Sequence, residues 1–369
     1  MRQRCGMRRP AAAALALLAT LLGATSCGTP ETLGPSSLAS LAIGPARLGA
    51  IGKTPNAGPQ TAPSTTDTFI TADDGIKLPL RTWLPPAGTG VKAAIIGVHG
   101  FNDYSNAFAM PGEAIAKDGI ATYAYDQRGF GQAPDRNFWP GRRILAEDLA
   151  AASRYVRARH PGVPLYLLGE SMGGAAVIVS ATGETGAPRP DVDGVILAAP
   201  AVWGRETQPW YQPLLLEMFA RVAPDYVLYG RGLKIYPSDN IEMLRALARD
   251  PLVIKGSRVD TLYGLVDLMD AALASIRRLD LPTLYLYGDH DQLVPKRPTE
   301  LAIRRLLAGA PAQDRVAFYR NGWHMLLRDL DAASVYRDIE SWIGDRTAPL
   351  PSGADAHAAE ELARNAEAS

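Results

Sequence analysis

The chain is 369 residues long, with 47% hydrophobic and 21% charged residues and a formal net charge of zero. This supplies material for a large core, excludes a multi-span membrane protein, and leaves no broad basic surface for nucleic acid. Two cysteines, Cys5 and Cys27, precede the folded region, and no zinc-type spacing, His-Glu-x-x-His or phosphate-loop pattern occurs, so no disulfide framework, metal or cofactor is expected.

Residues 1–27 read as an export signal. Arg2, Arg4, Arg8 and Arg9 form a basic head, and residues 11–22 form an apolar run too short to span a bilayer well. Ala24-Thr25-Ser26-Cys27 follows. Small residues ending in cysteine resemble a bacterial lipoprotein signal, in which Cys27 becomes the lipidated first residue; the alternative is ordinary cleavage near Ser26. A lipidated Cys27 would anchor the exported protein to a membrane, facing the periplasm or cell surface; without it the protein would be soluble and periplasmic or secreted. Loss of residues 1–26 removes four arginines and no acids, taking the net charge to about −4.

Residues 28–66, rich in Gly, Pro, Ser, Thr and Ala without a period, read as a flexible linker. The domain is expected over 67–346. Residues 68–71 and 77–84 form two strands around Asp73-Asp74-Gly75. Residues 93–98 form a strand apolar on both faces, ending in His99-Gly100-Phe101-Asn102. A helix over 107–117 and a strand over 120–125 follow, closed by Asp126-Gln127-Arg128-Gly129-Phe130-Gly131. Residues 142–159 carry a helical period that Pro161-Gly162 stops.

Next comes an apolar strand, Leu165-Tyr166-Leu167-Leu168, then Gly169-Glu170-Ser171-Met172-Gly173-Gly174, then a small-residue helix to residue 181. Strand, tight turn and helix form the context of a nucleophile elbow, with the flanking glycines allowing a strained turn and close helix–sheet approach. A strand over 194–199 completes this half. Alternating strands and helices imply a mostly parallel sheet covered on both faces.

Residues 204–281 break the rhythm. They read as mostly helical, and Trp210, Tyr211, Leu214, Leu215, Met218, Phe219, Tyr226 and Tyr229 suggest either extra helices packed on a core of their own, which would take most of these side chains, or a lid offering an apolar pocket; insertion at the carboxyl ends of the strands favours the lid. The sheet resumes at 283–288 and ends in Asp289-His290-Asp291. A helix over 298–308, a strand over 315–319, Asn321-Gly322-Trp323-His324 and a helix over 332–343 follow. The Ala/Glu-rich tail, 347–369, is expected to be disordered or weakly helical.

Ser171, an aspartate in 289–291, and His324 each fall just after a strand, in the chain order Ser, Asp, His. A serine alcohol needs a base; histidine has the suitable pKa; a carboxylate fixes the histidine's tautomer. With these motifs the chain resembles an α/β-hydrolase of the monoacylglycerol lipase/lysophospholipase-like, serine aminopeptidase-like family over roughly residues 67–346. The motifs are His99-Gly100-Phe101, Asp126 to Gly131, Gly169 to Gly174, Gly288-Asp289-His290-Asp291 and Gly322-Trp323-His324.

The resemblance implies a helical lid between strands and no cofactor. It selects Asp291 as triad acid, with Asp289 the alternative, and gives the Phe101 and Met172 backbone N–H groups as oxyanion donors. His99 would support the oxyanion loop, and Asp126 and Arg128 would form a loop-bracing ion pair. His290 would be a loop residue, and His160 and His357 bystanders. The implied activity is hydrolysis of a lipid-like ester, a monoacylglycerol or lysophospholipid, through an acyl-enzyme on Ser171. An acyltransferase and an aminopeptidase or other amidase could use the same triad, and an inactive anchored binding protein could keep the fold.

Overall fold

The computed structural model describes residues 68–230, 235–309 and 314–367. The expected signal with Cys27, and the linker 28–66, lie outside the described residues.

The chain opens with β1 (Phe69–Thr71), β2 (Lys77–Trp83), β3 (Ala93–Val98), α1 (Ala109–Ala116), β4 (Ile120–Tyr125) and α2 (Arg142–Arg159). Then come β5 (Leu165–Glu170), α3 (Met172–Ala181) and β6 (Gly194–Ala198). The insertion carries α4 (Tyr211–Val222), β7 (Val227–Tyr229), α5 (Ile241–Arg249), β8 (Gly256–Arg258) and α6 (Val259–Ser275). The last part is β9 (Thr283–Gly288), α7 (Lys296–Leu307), β10 (Arg315–Tyr319), α8 (Ala332–Gly344) and α9 (Ala354–Glu367).

Among the described residues, eight strands form one sheet in the order β1-β2-β4-β3-β5-β6-β9-β10. From β4 to β10 every pairing is parallel, while β1 and β2 run antiparallel at one edge. This is the α/β-hydrolase architecture expected from the alternation of elements. The physical cause lies in the central strands, whose successive side chains point to opposite faces. Ala94, Ile96 and Val98 join the core under α2, α3 and α6, whereas Ala93 and Ile95 join the core under α1 and α8. Burying a side chain of Leu or Ile size contributes about 1.5–3 kcal/mol, so only a doubly covered sheet satisfies these strands.

The insertion is not purely helical, because β7 and β8 pair as an antiparallel ribbon. The tail departs further from expectation. Residues 354–367 form α9, which packs along β10 with Ala354 and Ala358 buried. A disordered reading followed from its scarcity of large apolar residues. Small side chains suffice here, because they let the helix sit close to the outermost strand while polar side chains tie it down.

Candidate active site

The turn after β5 holds Ser171 at φ 54°, ψ −118°. A non-glycine residue there costs about 1–3 kcal/mol. The surroundings hold it: the Ser171 N–H donates to the Ala198 carbonyl (3.0 Å), and its own carbonyl accepts from Ala175 (3.2 Å) and Ala201 (2.9 Å). Gly173 is required by close approach. A Cβ there would stand 1.8 Å from the Val98 carbonyl oxygen and 2.8 Å from that of His99, so any side chain would push α3 away from the loop after β3.

Asp291 and His324 come from the loops after β9 and β10. The His324 Nδ1–H donates to Asp291 Oδ2 at 2.8 Å. The other carboxylate oxygen accepts the Leu293 and Val294 amides at 2.7 and 2.9 Å, which fixes the carboxylate's orientation. Both side chains are buried. Burial pushes the imidazole toward its neutral form, but the Asp291 carboxylate, its hydrogen bond and nearby Glu170 outweigh this and hold the pKa above its ordinary value.

His99 is wholly buried and occupied at both nitrogens. Nε2 accepts the Gln127 N–H (3.0 Å), so Nδ1 carries the proton and donates to the Gly100 carbonyl (2.9 Å). Burial lowers its pKa, which agrees with a neutral ring. The following loop approaches the serine: a Cβ at Gly100 would lie 3.4 Å from Ser171 Cβ and 4.0 Å from its Oγ. Phe101 is the next residue, and Met172 opens α3, where the first amides lack partners within the helix.

Ser171 and His324 line one cavity of about 270 Å³ together with Gly100 and Phe101. Its walls are largely apolar, with Trp203, Leu265, Met269 and Val294 among them. The insertion's share comes from Leu265 and Met269 of α6. None of the eight aromatic and aliphatic residues singled out between Trp210 and Tyr229 lines it. Trp210, Leu214, Met218, Tyr226 and Tyr229 are exposed instead.

One wall is polar, and sequence reasoning missed it. Arg328 donates to Asp103 and Glu170, each at 2.8 Å, and all three are at most 5% exposed. Burial alone would favour neutral forms. Glu170 and Asp103 overcome it for Arg328, whose pKa is raised, whereas burial keeps the Glu170 carboxyl above its usual range. Glu170 adjoins the serine and Arg328 lies four residues past His324, but a contact spanning 158 positions leaves no local sequence signal.

Two further expectations are corrected. Asp126 and Arg128 do not pair with each other. Asp126 accepts the Ser105 and Gln132 amides, whereas Arg128 binds Asp148 and Asp74. His357 is no bystander, since its Nε2 pairs with Asp289 Oδ2 at 2.7 Å. That bond points the Asp289 side chain toward α9 while Asp291 takes His324. His290 packs edge-on against Trp323, and His160 Nε2 bonds the Tyr123 hydroxyl at 2.8 Å.

Residues 89–331 match the family described as serine aminopeptidase, S33. The monoglyceride lipase of Rattus norvegicus is 28% identical over 302 residues, covering 80% of this chain and 95% of that protein. The monoacylglycerol lipase of Mycolicibacterium smegmatis is 23% identical over 280 residues, covering 73% and 93%. Among solved structures, a soluble variant of the Saccharomyces cerevisiae monoglyceride lipase in complex with a substrate analogue superposes with a TM-score of 0.61 at 20% identity, covering 80% of this chain and 100% of that one. The family match runs from just before β3 to the loop that follows His324, and the chain belongs to the serine aminopeptidase S33 family, as an α/β-hydrolase of the monoacylglycerol lipase/lysophospholipase-like group.

Proposed function

We propose that the protein is a serine hydrolase of lipid-like carboxylic esters, acting through an acyl-enzyme on Ser171. One observation carries this reading: a largely apolar cavity shared by Ser171, an Asp291-oriented His324 and the Gly100–Phe101 turn. With Nδ1 engaged by Asp291, the imidazole's Nε2 is the nitrogen left to take the serine proton. Ser171 Oγ attacks the ester carbonyl, and the oxyanion is received by the Phe101 and Met172 N–H groups, where one well-aimed donor typically contributes about 2.7–4 kcal/mol. His324 then protonates the leaving alcohol, and water releases the acid by the same route.

The substrate class follows from the walls. Apolar residues suit an acyl chain. The polar wall holds two carboxylates against one guanidinium already bonded to both, which disfavours an anionic head group. A neutral polyol ester, such as a monoacylglycerol, fits better than a lysophospholipid.

The test is a fluorophosphonate probe followed by a substrate panel of monoacylglycerols, lysophospholipids, p-nitrophenyl esters and aminoacyl anilides. We expect labelling at Ser171 and kcat/KM for monoacylglycerols about tenfold or more above that for lysophospholipids, a difference of about 1.4 kcal/mol. A folded but unlabelled protein would instead be a binding module, and faster anilide cleavage would make it an amidase.

The proposed site of action is a lipid surface. Trp210, Leu214, Met218 and Val222 recur every fourth residue along α4 and its start, and all are exposed, from 46% to 79%. That stripe suits the boundary between water and acyl chains. Lipidation of Cys27 would hold the domain there. Cys27→Ser is then expected to move the protein from the membrane to the soluble fraction on ultracentrifugation; unchanged partitioning would rule out that anchor.

A further inference from the structure

The loop carrying Asp291 is held at both ends by the C-terminal helix. On α9, His357, Glu361 and Asn365 are spaced four apart and so share one face. His357 Nε2 donates to Asp289 Oδ2 at 2.7 Å, just before Asp291. Glu361 Oε2 accepts from Lys296 Nζ at 2.7 Å, where the loop enters α7. Asn365 Nδ2 donates to Glu300 Oε1 at 2.6 Å, one turn further along α7. Within the loop, Asp291 Oδ1 accepts two amides, and the Val294 carbonyl accepts from the Tyr287 hydroxyl at 3.0 Å.

We propose that α9 is a latch that positions the acid of the active site, with His357 as its main positioning residue. This inference rests on the Ser171–His324–Asp291 reading. His357 touches neither the cavity nor any reacting atom. It is 6% exposed and binds the first residue of the loop, whose backbone is already tied to β10 by the Asp289 N–H donating to the Tyr319 carbonyl (3.0 Å). The two ends of the Asp291 segment therefore cannot drift apart without breaking a contact to α9. The bland alternative is that α9 merely covers the outer strand with Ala354 and Ala358. Covering that strand needs no row of polar ties to a loop on its neighbour. The family model's match ends at residue 331, before α9 begins.

A displaced acid misaligns the base, and small displacements of this kind cost large factors in the chemical step. The ester-binding walls contain no α9 residue. The experiment uses the full-length protein with p-nitrophenyl butyrate, with active sites titrated by a fluorophosphonate. His357→Ala is expected to lower kcat per titrated site about tenfold, with KM unchanged. His357→Gln, which keeps a donor near the position of Nε2, is expected to recover most of the loss. Asp289→Ala is expected to match His357→Ala, and the double variant to be no worse than either. If kcat per titrated site stays at the parent value while melting temperature and titratable sites fall together, α9 is only a cover and the latch is wrong. Should His357→Ala not fold, Asp289→Ala and His357→Gln give the same decision. Ser171→Ala run alongside separates the two levels: turnover surviving there removes the serine mechanism itself, whatever His357 does.

Discussion

Replacing Ser171 with alanine is expected to cut ester turnover by about 10⁶ while leaving the domain folded. Only Oγ is lost. The backbone bonds that impose the φ of 54° come from Ala198, Ala175 and Ala201 and do not involve the side chain, so the elbow keeps its shape. Alanine is no easier to hold at positive φ than serine, so relief of strain would not mask the result. The cavity walls and both proposed oxyanion donors remain, so binding should persist and some acceleration over water, about 10³–10⁴, should survive. The check pairs steady-state turnover with a thermal melt and a binding measurement on a non-hydrolysable ester analogue. A folded variant with turnover within tenfold of the parent would remove serine catalysis from this protein.

How much of this could be read beforehand depends on where the determining interactions lie. Strands β3, β4 and β10 are apolar runs fixed by their own sequence, so their bounds are legible. The elbow is legible for a local reason too, since Gly169, Gly173 and Gly174 stand where backbone approaches backbone and no Cβ fits. Partner choice among charged residues is a different problem. Arg128 sits two residues from Asp126, yet it bonds Asp148 and Asp74, while each Asp126 oxygen accepts a backbone amide. Arg328 reaches Asp103 across 225 positions, a separation that no window of sequence spans. The insertion misled in another way. Its apolar residues were real, but hydropathy does not say which way a helix faces, and the stripe through Leu214 and Met218 turned outward. In α9 the reverse held: a helix poor in large apolar side chains is secured by His357, Glu361 and Asn365, whose partners lie in a loop and helix far back in the chain.

Asp291→Asn is expected to lower kcat about 10⁴-fold and to shift the acid limb of the kcat/KM profile to lower pH. The carboxylate has two separate duties: Oδ2 accepts from His324 Nδ1, and Oδ1 accepts the Leu293 and Val294 amides. An amide cannot do both. With its oxygen toward those two N–H groups, its NH₂ faces Nδ1, which must then accept, and the proton moves to Nε2. The imidazole is left in the tautomer that cannot take a proton from Ser171. The pH effect has an independent origin. In the parent, burial favours neutral His324, but Asp291 and Glu170 overrule it and raise the pKa. The base must be neutral to act, so activity should fall as pH drops through a value above the ordinary histidine value of about 6.5. Removing the Asp291 charge lets burial prevail, and the midpoint moves down. Stability carries the opposite sign. A group whose folded pKa is raised adds stability that is complete below its unfolded pKa and is lost as pH rises through the folded one. The parent should therefore surrender His324's share of stability over the same pH interval in which it gains activity, and Asp291→Asn should lose that trade. A limb in the same place in both proteins would mean that some group other than His324 titrates with activity.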